Sequence, residues 1–247
     1  MPAENEITVF SPHLDDAALD CTDHILAWKK LGFHVHVVTF FTKSASRSPE
    51  DLTCDSSDDL ERRRTCEDKD AMNRLGVSWS HLSFADVWFR RENERLNCTN
   101  ELLLHEASND RILRALTSAI LSFRDSGLFV VPLGVGGHVD HLLVREAAEF
   151  EIEPTELCYY VDYPYALSVF NWAVSDLWRV MKAKKSIKVM SNAKKQLLEV
   201  YSSQIPQVFS HARFSMPWIA WTFVRSYPEI VLYHKRTRLR AEEVSHT

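Results

Sequence analysis

The sequence lacks the marks of several large classes of protein. It has no run of about 18 apolar residues, the length expected of a membrane-spanning helix. Residues 1–10 have no basic region followed by an apolar stretch, so they do not resemble a secretory signal. The net charge of −5 argues against a general nucleic-acid binder, because binding phosphates needs a basic face. We therefore expect a cytoplasmic protein that binds neither membranes nor nucleic acid.

Cysteine is scarce, and its spacing matches no common framework. The number of cysteines is odd and no CxxC pair occurs, which disfavours a disulfide scaffold or a structural zinc knuckle. A reducing cytoplasm is the default compartment for such a chain, although Cys54 and Cys66 would be the pair to bridge in an exported protein. The five residues are Cys21, Cys54, Cys66, Cys98 and Cys158.

The sequence does contain a regular alternation of apolar strand-like runs and helical patterns. Such β-α alternation predicts a mostly parallel central sheet with helices on both faces, a Rossmann-like three-layer sandwich of the α/β class. A chain of 247 residues with 45% apolar content is large enough to build this core. Strands are predicted at 7–10, 35–41, 79–84, 128–133 and 157–161, and helices at 16–31, 60–75, 99–123 and 139–150.

We expect residues 1–247 to form one domain, with a motif-bearing core at about 6–165 and a C-terminal extension at about 166–247. In the extension, helices are predicted at 176–184 and 192–203, and a late strand at 230–234. Aromatic residues such as Trp218 and Trp221 are candidates for a subunit interface in a homo-oligomer.

Two short polar motifs follow predicted strands, SPHLDD at residues 11–16 and GHVDH at residues 137–141. Ligands of open α/β sheets bind outside the carboxyl ends of the strands, where both motifs fall. A catalytic zinc takes three histidine or carboxylate ligands and keeps one position for water. We therefore expect His13, Asp16 and His141 to hold one divalent ion. Zinc is the first choice, and iron, cobalt or manganese would also suit such a site.

The remaining polar residues of the motifs suit proton transfer and charge stabilisation. Asp15 can take a proton from the attacking water as a general base. His138, one helical turn before His141, can stabilise an oxyanion or protonate a leaving amine. Asp140 can accept a hydrogen bond from an imidazole and fix its tautomer. Each motif alone is also typical of a helix N-cap, but their coincidence after two buried strands favours catalysis.

The two motifs resemble those of the PIG-L/LmbE family of zinc-dependent N-deacetylases, and the resemblance covers about residues 6–165. That family acts on N-acetylglucosaminyl conjugates: inositol derivatives, thiol cofactor precursors and glycosides of antibiotic pathways. The resemblance implies the metal ligands and general base named above. It also implies that His138 stabilises the transition state and that Asp140 orients His138.

The resemblance adds two residues that contact the substrate. Arg64 falls where the family places a substrate-contacting arginine, and Asp86 matches a carboxylate that binds sugar hydroxyls. Without the resemblance, Arg64 is one of three consecutive arginines and Asp86 is a turn residue. Leu14 and Ala17 depart from the proline and glutamate that are more usual in the family, so substrate details do not carry over.

The leading hypothesis is hydrolysis of an N-acyl, most simply N-acetyl, amide on a glucosamine-type sugar conjugate. Zinc-activated water would attack the carbonyl, with Asp15 as base and His138 stabilising the oxyanion. The absence of a membrane segment disfavours a lipid-linked substrate. One alternative is a metal-dependent amidase or esterase that acts on a non-sugar metabolite. Another is a non-catalytic nucleotide-binding module, against which the absence of GxGxxG after the first strand and of GxxxxGK[ST] counts.

Overall fold

Seven strands form one sheet in the computed structural model, which describes residues 5–43, 57–87, 112–124, 127–167, 184–188, 191–204 and 229–233. The strand order is β3-β2-β1-β4-β5-β7-β6. Neighbouring strands from β3 to β5 pair in parallel, whereas β7 pairs antiparallel with both β5 and β6. The strands are β1 (Glu6–Ser11), β2 (His34–Thr39), β3 (Ser78–His81), β4 (Leu128–Pro132), β5 (Leu157–Tyr160), β6 (Lys184–Lys188) and β7 (Glu229–Tyr233).

Helices cover both faces of the sheet, because the central strands alternate buried side chains between two apolar cores. In β1, Ile7 and Val9 belong to the core that contains residues of α1, α2 and α5, while Phe10 points into the core under α3 and α4. This arrangement confirms the predicted α/β sandwich. The helices are α1 (Asp16–Lys30), α2 (Ser57–Leu75), α3 (Leu113–Leu121), α4 (Val139–Glu151) and α5 (Asn192–Leu198).

The helix predicted at 192–203 ends at Leu198, and the strand predicted at 35–41 spans His34–Thr39. Two further differences concern β3 and β6. The third predicted strand runs to residue 84, but pairing in β3 ends at His81 and only isolated bridges follow. Lys184, the last residue of a predicted helix, instead begins β6, which the sequence analysis missed. Pairing with β7 explains this strand, since contacts across a sheet override a weak local preference.

Several predictions fall on residues outside the described ranges. These are Cys54, Trp218 and Trp221, the first part of the helix predicted at 99–123, and residues 176–183. Within the described ranges, no helix is long and apolar enough to cross a membrane.

The sheet order places both motifs at one crevice. From β1 the chain builds outward to β2 and β3 on one side, and β4 and β5 then lie on the other side of β1. Ligands of such sheets bind at the strand ends where the order reverses, which here is between β1 and β4. The first motif follows β1 and the second follows β4, so segments about 120 residues apart meet there.

Candidate metal centre

The first motif makes a tight turn from β1 into α1 that leaves one carboxylate unused by the helix. Ser11 Oγ donates to the carbonyl of His13 (2.6 Å) and accepts the N–H of Ala17 (3.1 Å). Asp16 Oδ2 accepts the N–H of His13 at 2.7 Å. Asp15 occupies the N-cap position, yet its side chain makes no capping hydrogen bond. Helix capping therefore does not account for Asp15.

In the second motif, by contrast, a histidine side chain does cap the helix. His138 is the N-cap of α4, and its Nδ1 accepts the N–H of Asp140 at 3.3 Å. A neutral imidazole whose Nδ1 is an acceptor carries its proton on Nε2. His138 thus presents an N–H donor on the side of its ring away from the helix.

His13, Asp16 and His141 converge on one point. One ligand atom from each lies within 4.8 Å of the others. Asp16 Oδ2 is 3.3 Å from His13 Nδ1 and 3.4 Å from His141 Nε2. Two ligand atoms at tetrahedral zinc, each about 2.0–2.1 Å from the metal, are about 3.3 Å apart. The donor set and its spacing therefore fit a divalent metal ion.

The charges around these three side chains also favour a cation. Burial lowers the pKa of His13, but hydrogen bonds to Asp140 and Asp16 outweigh it and raise that pKa well above its usual range. For His141, burial is outweighed by Asp16 and Asp162, and its pKa is raised too. Burial raises the pKa of Asp16, yet His141 and His13 hold it well below its ordinary value. The surrounding carboxylates therefore favour a positive charge at this point, which a divalent ion would supply.

The two candidate catalytic groups have shifted pKa values in the directions their roles need. Burial, followed by the adjacent Asp16 carboxylate, raises the pKa of Asp15 to about 7, a value suited to a general base at neutral pH. Burial and the neighbouring His13 and His141 lower the pKa of His138 to about 3. A histidine with this pKa is neutral at physiological pH, so His138 can serve as a hydrogen-bond donor.

Asp140 contacts two histidines of the site, His13 and His138. Its backbone N–H donates to His138, and its Oδ2 lies 3.1 Å from His13 Nε2. The same oxygen accepts the N–H of Val87 at 3.0 Å. His13, His138 and Asp140 also lie within 4.8 Å of one another, a second grouping that could hold a metal. We attribute it to hydrogen bonding, because Asp140 Oδ2 already has two donors.

The two residues added by the family resemblance both lie at this site. Arg64 is partly buried on α2, whereas Arg62 and Arg63 are exposed. Its guanidinium is among the charges that lower the pKa of Asp15. Asp86 follows β3, and its Oδ2 lies 3.6 Å from His13 Nε2.

A hydrogen-bond network anchors the α2 segment that carries Arg64. Glu67 accepts the backbone N–H (3.0 Å) and hydroxyl (2.7 Å) of Ser203. The buried Asp68 accepts the hydroxyl of Tyr201 at 2.7 Å and lies 2.7 Å from Nε2 of His81. The C-terminal part of the chain thus fixes α2 from behind.

Two residues at the site, Asp162 and Tyr165, were not predicted from the sequence. Asp162 Oδ1 lies 2.6 Å from His141 Nδ1. The rule that identified the two motifs also applies to Asp162, since it follows β5 directly. Tyr165 lies with its ring centroid 5.8 Å from His141 and 6.1 Å from His138, and no motif marks it.

Comparisons with known proteins identify the family of this chain. The PIG-L family model, described as GlcNAc-PI de-N-acetylase, matches residues 8–150, more than half of the chain. The 2'-N-acetylparomamine deacetylase of Streptomyces fradiae is 32% identical over 162 residues, which are 63% of this chain and 56% of that protein. The matched segment thus spans little more than half the length of this curated relative.

Two solved structures resemble nearly the whole chain. A deacetylase–teicoplanin complex from the teicoplanin biosynthetic pathway has 25% identity and a TM-score of 0.64, with coverage of 92% of this chain and 97% of that one. The zinc-inhibited form of teicoplanin deacetylase Orf2 shares the fold at 24% identity and a TM-score of 0.63, with the same coverage. The family match over residues 8–150 shows that the chain belongs to the PIG-L family, as the two motifs predicted.

Proposed function

We propose that this chain is a metal-dependent hydrolase that removes an N-acetyl group from an amino sugar within a larger conjugate. The observation that carries the proposal is the convergence of His13, Asp16 and His141 on one point. Next to them is the carboxylate of Asp15, which makes no helix-capping hydrogen bond. The relatives support the substrate class: one acts on N-acetylparomamine, and another was solved with teicoplanin.

His13, Asp16 and His141 would hold the metal ion, with Asp16 between the two imidazoles. When bound, a divalent ion polarises the amide carbonyl and makes water a stronger nucleophile at neutral pH. Asp15 then takes the proton of the attacking water. Its pKa of about 7 allows it to accept that proton and later release it to the leaving amine.

His138 stabilises the negative charge that develops on the carbonyl oxygen. Its Nδ1 is occupied by the N–H of Asp140, so its Nε2–H is the available donor. Because its lowered pKa keeps the ring neutral, His138 donates a hydrogen bond instead of transferring a proton. Of the two roles predicted from the sequence, we therefore assign oxyanion stabilisation.

Arg64 and Asp86, which lie beside the metal ligands, bind the sugar. The Asp86 side chain is 18% exposed, and its carboxylate can accept hydrogen bonds from sugar hydroxyls. Tyr165 also lies at the site, next to the rings of His138 and His141. Its aromatic face can pack against the apolar face of a sugar ring.

Acetate release from a panel of compounds tests the proposal. The panel contains N-acetylglucosamine glycosides, an N-acetylated aminoglycoside, N-acetyl amino acids and acetyl esters, each assayed with zinc-loaded protein. We expect release from the acetylated amino sugars. Asp15→Asn should lower kcat by about 10²–10⁴-fold while the metal content, measured by elemental analysis, is retained. The exposed Asp70→Asn is the control variant. Near-normal turnover by Asp15→Asn, or release from amino acids alone, would contradict the proposal.

A further inference from the structure

The two imidazoles that face Asp16 are both held from behind by a buried carboxylate. His13 has its Nδ1 towards Asp16 and its Nε2 3.1 Å from Asp140 Oδ2. His141 has its Nε2 towards Asp16 and its Nδ1 2.6 Å from Asp162 Oδ1. The two rings use opposite nitrogens, yet the arrangement of carboxylate, imidazole and Asp16 is the same in both.

Each of these carboxylates is itself fixed by a backbone N–H from a neighbouring loop. Asp140 Oδ2 accepts from Val87, just after β3, at 3.0 Å. Asp162 Oδ2 accepts from Val135, in the loop after β4, at 2.9 Å. Both aspartates are fully buried. Neither carboxylate can therefore rotate without losing a buried hydrogen bond, which is costly.

We propose that Asp140 and Asp162 are matched positioning residues that fix the tautomers of the two metal-binding histidines. Asp140 holds the proton of His13 on Nε2, and Asp162 holds that of His141 on Nδ1. The lone pairs of the other two nitrogens then point at the position next to Asp16. A neutral imidazole has one donor and one acceptor nitrogen, and a partner on the far nitrogen sets which is which. The inference rests on the metal ligands of the proposed function and adds Asp162, which lies outside both motifs.

Replacing Asp162 by asparagine tests the inference sharply, because an amide has only one acceptor oxygen. If that oxygen accepts the N–H of Val135, the amide NH₂ faces His141 Nδ1 and forces the proton onto Nε2. The nitrogen that faces Asp16 then has no lone pair for a metal. If the amide is flipped, its NH₂ meets the N–H of Val135, donor against donor.

The experiment measures metal binding in the absence of substrate. Zinc affinity is determined by competition with a chromophoric chelator, and the visible spectrum of the cobalt-loaded protein reports the ligand geometry. We expect Asp162→Asn to bind zinc about 10–100-fold more weakly and to change the cobalt spectrum. The matched control is Asp20→Asn: Asp20 is also fully buried and accepts a backbone N–H, that of Tyr163 at 3.0 Å. Its zinc affinity should stay within about twofold of the wild type, since Asp20 holds no metal-binding imidazole.

A second measurement needs no variant and still applies if Asp162→Asn does not fold. Long-range ¹H–¹⁵N NMR of the zinc-loaded wild-type protein identifies the protonated nitrogen of each histidine. The inference requires Nε2–H for His13 and Nδ1–H for His141. The opposite tautomers, or unchanged zinc affinity and cobalt spectrum in Asp162→Asn, would overturn it. Protein that binds zinc with these tautomers but releases no acetate would instead refute the proposed function alone.

Discussion

Glu229, far from the candidate site in sequence, is predicted to be one of the strongest single contributors to stability. It begins β7 and is fully buried against the middle of α1. Its carboxylate accepts the backbone N–H groups of Asp23 and His24 at 2.9–3.1 Å and contacts His24 Nδ1 at 3.1 Å. It also pairs with Lys194 Nζ at 2.8 Å, and Lys194 is only 2% exposed.

The size of this contribution follows from the pKa of Glu229. Burial raises that pKa, but Lys194 and His24 outweigh burial and lower it from 4.5 to about 2. A difference of this size between the folded and unfolded chain corresponds to about 3 kcal/mol of stability at neutral pH. Breaking a buried ion pair by removing one partner typically costs about 3–5 kcal/mol, a range that includes the value obtained from the pKa. Glu229→Gln keeps the shape and leaves the Lys194 ammonium buried without its carboxylate.

We therefore expect Glu229→Gln to lower the free energy of unfolding by about 3 kcal/mol at pH 7, measured by urea denaturation followed by circular dichroism. Because the folded-state pKa is depressed, the contribution is complete above about pH 4.5 and is lost as the pH falls towards 2. The difference in the free energy of unfolding between Glu229→Gln and the wild type should therefore become smaller as the pH falls from about 4.5 towards 2. Asp70→Asn, which breaks the exposed pair with Arg74, should cost less than about 1 kcal/mol. A loss below about 1 kcal/mol for Glu229→Gln, or a difference independent of pH, would refute the reasoning.

Two further predictions concern the site itself. His138→Ala removes the proposed oxyanion donor and should lower kcat by about 10²–10³-fold with little change in KM, in steady-state kinetics with the best acetylated sugar of the panel. A large rise in KM at constant kcat would instead assign His138 to substrate binding. Gly136→Ala should destabilise the protein by about 2 kcal/mol in thermal or urea denaturation, because Gly136 has a φ of +91° and an added Cβ would lie 2.7 Å from Cβ of Tyr165. An alanine variant as stable as the wild type would show that this close approach is easily relieved.

The sheet and the two motifs could be predicted because their signals are local in sequence. Apolar runs such as residues 128–133 are typical of strands buried on both faces, and parallel strands align their carboxyl ends. That one rule places His13 and His141 at the same crevice although they lie 128 positions apart in sequence. The sequence cannot say which nitrogen of each ring faces Asp16, because the answer depends on carboxylates from other strands.

The contacts that anchor α1 and α2 could not be predicted from local sequence patterns, because their partners are far apart in the chain. Glu229 meets His24 across 205 positions, and Glu67 meets Ser203 across 136. Both carboxylates are ordinary in sequence and become distinctive only through burial. Asp162 is different, because it lies at the carboxyl end of a predicted strand. Ligands bind at such strand ends, and the two motifs were identified by the same rule. It was missed because no second polar residue nearby draws attention to it.

The structure gives the C-terminal part of the chain a role that the motifs alone do not suggest. Glu229 fixes the middle of α1, the helix whose first residues follow Asp15, and Ser203 and its neighbours fix α2, which carries Arg64. The family match ends at residue 150, yet α1 and α2, two of the helices that present residues to the site, are anchored by residues beyond it. Substitutions at these buried anchors should therefore reduce activity by displacing Asp15 or Arg64, which the anchors reach only through α1 and α2.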